Sequence, residues 1–281
     1  MSTLFVKELT VVDFSYLHPK RGIVGESWLM DVYLQGELND EGMIFDFSDV
    51  KKNIKKWVDA EADHKLLVPQ LNGNLSITSD HDQHQVDVVQ DGKLRFRVCC
   101  PHEAICFLES DEVNSASLAE HLNQMILSRL PKNVLSLDLV LRPEAIKGSY
   151  YHYSHGLKKH QGDCQRIAHG HRSALEIYLN DQRQPELEAS WCQRWQDIYL
   201  ITEEDLIAEQ DGLLHSGYQA MQGRFDIWVD KNNCDIITTD TTVELIAQHI
   251  AQTLAAQHPG QRVRVQAYEG VNKGAIALAA N

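Results

Sequence analysis

Hydrophobic and polar positions along this chain fall into two recurring patterns, and the pair of patterns occurs twice. Alternation with a period of two marks half-buried strands: VVDFSYLH ending at His18 and VGESWLMDVYLQG after it, then SYYHYSH ending at His155 and HGHRSALEIYLND after it. Each strand pair is followed by a segment read as a helix, SDVKKNIKKWVDAEADH in the first half and TEEDLIAEQDGLL in the second. The segments LRFRVCCPHEAICFLES and RFDIWVDKNNCDIITTD read as hairpins. They lead into helices with capping-box patterns, Ser117-Leu-Ala-Glu120 and Thr241-Thr-Val-Glu244. Apolar residues at helical spacing follow (Leu118, Leu122, Met125 and Ile126; Ile246, Ile250 and Leu254), and alternating strands, VLSLDLVL and VRVQAYE, close the halves.

This order predicts an α+β fold of two tandem modules, residues 1–146 and 147–281, with the boundary near Ala145–Gly148. Each module is expected to be an antiparallel four-stranded sheet with two helices on one face. Residues 70–92, GNLSITSDHDQHQVDVVQDG, read as an extra hairpin inserted in the first half only.

Composition narrows the function. A formal charge of −14 argues against a nucleic-acid partner, because phosphate binding needs a basic surface. No apolar run reaches the roughly 18 residues of a membrane span, so no membrane partner is expected. The first residues lack the pattern of a secretory signal. Six cysteines without a C-x-x-C pair read as reduced thiols of a cytoplasmic protein, with Cys99, Cys100, Cys106 and Cys234 as small core hydrophobes.

The chemistry concentrates in SHGLKKHQGDCQRIAHGHRS. His169 and His171 alternate on a strand and so point the same way, and His155 reaches them from the neighbouring strand. Three neutral imidazoles make an open zinc site. His160 is an alternative ligand to His155, and a surface histidine cluster including His152 is the plainer reading. Cys164 precedes the pair and has Lys158, Lys159 and Arg166 nearby to favour a thiolate. Asp63-His64 fits a carboxylate orienting a proton-transfer imidazole, provided that it lies at a helix end; an ordinary helix C-terminus is the plainer alternative. Val24 and Glu26 leave His18 without ligand partners, so no metal is expected in the first half.

These residues together resemble the 6-pyruvoyl-tetrahydropterin synthase and 6-carboxytetrahydropterin synthase family of the tunnelling fold, present as a tandem duplication. The first half carries Phe14-Ser-Tyr-Leu-His18, Gly42-Met-Ile-Phe-Asp46-Phe47 and Asp63-His64-Lys-Leu-Leu, but Val24-Gly25-Glu26 in place of His-Gly-His and no match to the catalytic cysteine. The second half carries His155, Cys164, His169, His171, Thr241-Thr242-Val-Glu244 and Glu269, but no Asp-His; only His215 lies near the expected place. Each half lacks what the other supplies.

The resemblance implies a zinc-dependent lyase acting on 7,8-dihydroneopterin triphosphate. Its product would be 6-pyruvoyl-tetrahydropterin, or 6-carboxytetrahydropterin on a route to queuosine-type bases. Zinc would sit on His155, His169 and His171. Cys164, His64 and Asp63 would be catalytic across the module interface. Glu269, Thr241 and Thr242 would hold the pterin, although helix capping is the plainer task of the threonines. A homo-oligomer is implied, two chains closing a four-module barrel or three a six-module one. Arg172-Ser173 stands where the family has Asn-Tyr, which leaves a zinc- and pterin-binding protein without this turnover, or with another substrate, as the alternative.

Overall fold

The computed structural model describes residues 1–280. In the first half, strands Ser2–His18 and Gly22–Gly36 form a long antiparallel hairpin, and Val134–Pro143 pairs with the second of them. Helices Lys55–Glu61 and Ser115–Leu127 cover one face, burying Val58, Leu118, Leu122 and Ile126 against Phe14, Met30 and Leu139. Each such side chain contributes about 1.5–3 kcal/mol by leaving water. The second half repeats the plan with strands Tyr150–His155, His169–Leu179 and Val263–Tyr268 under helices Pro185–Arg194 and Val243–Gln257.

The sheets are larger than the expected four strands: five in the first half, seven in the second, and a further sheet of six. The extra strands are short, and all but the edge strand Cys234–Ile237 are largely buried. Leu66–Pro69 runs parallel beside Ser15 and Tyr16, with Ile105–Leu108 beyond it; Ile198–Thr202 and Cys234–Ile237 do the same beside Tyr153 and Ser154. The two expected hairpins are therefore corners. The one-turn helices His102–Ala104 and Lys231–Asn233 send the chain from one sheet into another.

The six-stranded sheet joins the halves. Leu75–Ser79, Gln83–Gln90 and Lys93–Pro101 come from the first half, and Leu206–Gln210, Leu213–Ala220 and Gly223–Asp230 from the second. They meet where Lys93–Pro101 pairs antiparallel with Gly223–Asp230, above a core to which both halves contribute, including Val98, Phe225, Ile227 and Tyr218. Residues 70–92 are thus no insert, because the second half has its own counterpart. For the same reason TEEDLIAEQDGLL is a short turn and two strand segments; the helix of that half is Pro185–Arg194, with proline in its first turn where a missing N–H costs nothing.

The helix caps also differ from the expected boxes. Asn114 caps helix Ser115–Leu127, accepting from the Ala116 and Ser117 amides, and Thr242, not Thr241, caps Val243–Gln257. No helix among the described residues is long and apolar enough to cross a membrane.

Two glycines let the backbones of the halves approach closely. A Cβ on Gly170 would lie 2.7 Å from the Gly25 Cα, and one on Gly25 only 1.9 Å from the Tyr153 carbonyl oxygen. Beside them Ser15 Oγ and Ser154 Oγ, which occupy matching positions, share a buried 2.7 Å hydrogen bond.

Candidate active site

Strand pairing sets the histidine geometry. His169 lies directly opposite His155, and His171 follows on the same face. All three are within 1 % of complete burial, and one nitrogen from each lies within 4.8 Å of the others. The Nδ1 atoms of two are fixed: His155 Nδ1 pairs with Thr241 Oγ1 at 2.9 Å, and His169 Nδ1 donates to the Arg166 carbonyl at 2.8 Å. His155 Nε2 and His171 Nε2 are buried without a hydrogen-bond partner, while His171 Nδ1 has only the Asp13 carboxylate near it, an arrangement costly unless something else occupies the space between the Nε2 atoms. Burial, reinforced by neighbouring imidazoles, holds His155 and His169 well below the usual histidine range, so they are neutral. Neutral, second-sphere-oriented imidazoles with converging free nitrogens are the donor set a divalent zinc ion takes.

The first half closes over this cluster. Past the end of helix Lys55–Glu61, His64 adopts a left-handed backbone (φ 54°), which turns its ring back onto its neighbour. Asp63 Oδ2 lies 2.6 Å from His64 Nδ1, while Asp63 Oδ1 accepts from the Asp13 amide at 2.8 Å and the His64 amide donates to the Asp13 carbonyl at 2.6 Å. The His64 ring centre is 5.0 Å from that of His169. Cys164, half-buried in the turn Asp163–Gln165, joins them: its Sγ and one nitrogen each of His64 and His169 are all within 4.8 Å. Burial opposes charge on His64, but its bonds to Asp63 and Cys164 outweigh this and hold it up at about 10.

Two further residues, Asp13 and Lys273, join this site. Asp13 Oδ1 lies 3.3 Å from His171 Nδ1 and accepts from Ser27 Oγ, and Lys273 Nζ reaches Asp13 Oδ2 at 3.1 Å. Burial works against the Asp13 carboxylate, yet His171 and Lys273 keep it far below the ordinary range. The detectable hint was an acid inside an otherwise apolar alternating strand. Glu269 sits just beyond strand Val263–Tyr268, partly exposed, its Oε2 4.0 Å from Lys273 Nζ. The buried hydroxyls of Tyr151 and Tyr153 in the same half have no partner.

Other sequence candidates lie elsewhere. Thr241 is fully buried and spent on His155, and Thr242 caps its helix. His160 is exposed and outside the cluster. His152 faces the opposite side of its strand and bonds the Gly25 carbonyl. Arg172 points the same way as His152, over the Tyr150 ring and onto the Glu144 carbonyl, away from the three histidines. His215 pairs with Asp226 and stacks on Trp228. His18 takes the Lys20 and Arg21 amides on its Nδ1, a turn-holding task.

The register also moves the first-half counterpart of the ligand strand. Gly25 pairs with Ser15 as Gly170 pairs with Ser154, so Tyr16, not His18, stands where the other half has His155. Val24 and Glu26 stand in the places of His169 and His171.

Comparison with known proteins agrees with the duplication. The family model described as 6-pyruvoyl tetrahydropterin synthase matches twice, over residues 11–140 and 144–279. A protein of Pyrococcus horikoshii named "Putative 6-carboxy-5,6,7,8-tetrahydropterin synthase" is 26% identical over 128 residues, 46% of this chain and 73% of its own length. One of the same name from Pyrococcus abyssi is 24% identical over 123 residues, 44% of this chain and 69% of its own. Among solved structures, the 6-pyruvoyl tetrahydropterin synthase of Plasmodium vivax has 14% identity and a TM-score of 0.39, covering 50% of this chain and 97% of that one. That of Plasmodium falciparum has 15% identity and a TM-score of 0.38 over the same shares. With both halves matched by one family model, the chain belongs to the 6-pyruvoyl tetrahydropterin synthase family.

Proposed function

We propose that this chain is a zinc-dependent lyase of pterin metabolism, acting on 7,8-dihydroneopterin triphosphate at one composite site per chain. The observation that carries the reading is the meeting of Asp63-His64 from the first half with Cys164 and His169 from the second. Neither half holds both parts.

His155, His169 and His171 would hold the zinc, which when bound polarises the side-chain oxygens of the substrate and steadies enolate-like charge. The chain's own groups do the rest. Thr241 and the Arg166 carbonyl fix two imidazoles so that Nε2 faces inward. Asp63 occupies Nδ1 of His64, which leaves Nε2 as the atom that carries the proton. His64, held protonated, and Cys164 form an acid and thiol pair suited to exchanging protons at C1′ and C2′ of the side chain. Glu269 is suited to accept two hydrogen bonds from the 2-amino edge of the pterin. Of the two altered residues after His-Gly-His, Arg172 is turned to the far face, whereas Ser173 shares the face of His169 and His171 and accepts from the Gly270 amide.

The test is metal analysis followed by turnover of 7,8-dihydroneopterin triphosphate, read as triphosphate release. One zinc per chain and a turnover lost in Cys164→Ala and His64→Ala is the expected result. Zinc-loaded protein without triphosphate release would overturn it.

A further inference from the structure

The duplicated site of the first half has lost its metal-binding residues, yet it keeps a cavity. Tyr16, Val24 and Glu26 replace the three histidines. Leu175 pairs with Ala267, and its counterpart Met30 with Leu141, so Pro143 stands at the position of Glu269. Val113, just before the cap Asn114, stands where Thr241 precedes the cap Thr242. The cavity holds about 370 Å³, within the roughly 300–1,000 Å³ of small-molecule sites, and Tyr16, His18, Glu26, Trp28, Asn114 and Pro143 line it.

One acid–base pair is exchanged between the two sites. In the second half the base His171 sits on the ligand strand and faces Asp13 at 3.3 Å; here the acid Glu26 sits there and faces His152 at 3.8 Å. The Glu26 side chain is 9% exposed. Its Oε1 accepts from the neighbouring Ser27 amide at 3.1 Å, the Trp28 indole lies beside the same carboxyl, and His152 Nδ1 is already committed to the Gly25 carbonyl. A buried carboxyl therefore keeps an accepting oxygen at the wall of an aromatic cavity.

We infer that this first-half cavity is a second binding site, for a planar, unphosphorylated nitrogen heterocycle that donates N–H hydrogen bonds to Glu26 between Tyr16 and Trp28. Flat aromatic walls suit a ring, and a carboxyl suits an amino or ring N–H edge. Glu26 and Glu112 line the same space, and the nearby Arg21 is bound to Asp197, so the pocket offers no free cation to a phosphate tail. Burial holds the Glu26 carboxyl up at about 7, outweighing the more distant charges of Arg172 and Arg21. The inference does not depend on turnover in the second half.

The probe is 2-amino-4-oxopteridine, titrated calorimetrically into the full chain. Two binding events per chain are expected, of which Glu269→Ala removes one and leaves the other. In that background Glu26→Gln should weaken the remaining event by about tenfold or more, and inorganic triphosphate should not compete with it. Trp28→Phe, which keeps the aromatic wall, should abolish most of the fluorescence quenching that accompanies this event, whether or not the Glu26 variant folds. Affinity unchanged in Glu26→Gln, quenching unchanged in Trp28→Phe, or competition by triphosphate would each overturn the inference.

Discussion

Gly25 and Gly170 meet back to back at the centre of the molecule, so close that neither position has room for a side chain. The glycine of the His-Gly-His run and its counterpart in Val24-Gly25-Glu26 are kept by packing between halves, independently of metal binding. Gly25→Ala would drive a methyl group into the Tyr153 carbonyl, which is backbone and cannot swing away. A loss of about 3 kcal/mol or more is expected, read by chemical denaturation. A stability equal to that of the parent protein would refute the packing argument.

The Asp63-His64 pair predicts a split between binding and rate. His64→Ala should lower kcat roughly 10²–10⁴-fold with KM little changed, because the imidazole is placed for proton transfer. Asp63→Asn should fall between this variant and the parent, with the rate–pH profile displaced toward lower pH as the ring loses its carboxylate. Equal turnover in His64→Ala would remove the first half from the reaction.

Thr241 predicts a metal effect at a residue that touches no metal. Thr241→Val removes the partner of His155 Nδ1 while keeping the volume, and metal affinity should drop about 10–100-fold in a chelator competition. Thr241→Ser should restore most of it.

Removing the metal should cost stability as well. Chelation leaves the inward nitrogens of His155 and His171 buried and unpaired. An ion present at a hundred times its dissociation constant stabilises by about 2.7 kcal/mol, so the melting temperature should fall on chelation and return with zinc. No change in melting temperature would mean that the histidines hold nothing.

Glu26 predicts a pH dependence of folding. Burial, its main perturbation, raises its carboxyl from 4.5 to about 7. The folded state therefore binds the proton more tightly than the unfolded state. The resulting stability is complete below pH 4.5 and is lost as pH rises to about 7, by roughly 3 kcal/mol at most. Denaturation midpoints should fall across that window in the parent chain and stay flatter in Glu26→Gln.

The long strands were legible because alternation is strong, and spacing fixes which side chains share a face; that His169 and His171 point the same way needed nothing more than a strand. The strands Leu66–Pro69 and Ile105–Leu108 were not, because short segments buried on both faces show no alternation. Equal turn chemistry after Pro101 and Asp230 looked like hairpins, although each corner feeds a different sheet. The segment after Thr202 has helical-looking composition, and tertiary pairing with Leu213–Ala220 overrides it. The meeting of Asp13 and Lys273 depends on how the halves dock, a relation that no local pattern encodes.

The sheet shared by Lys93–Pro101 and Gly223–Asp230 has a consequence for how the halves stay together. A main-chain seam of this kind keeps each half at high effective concentration beside the other, so separating them would expose two unpaired strand edges at once.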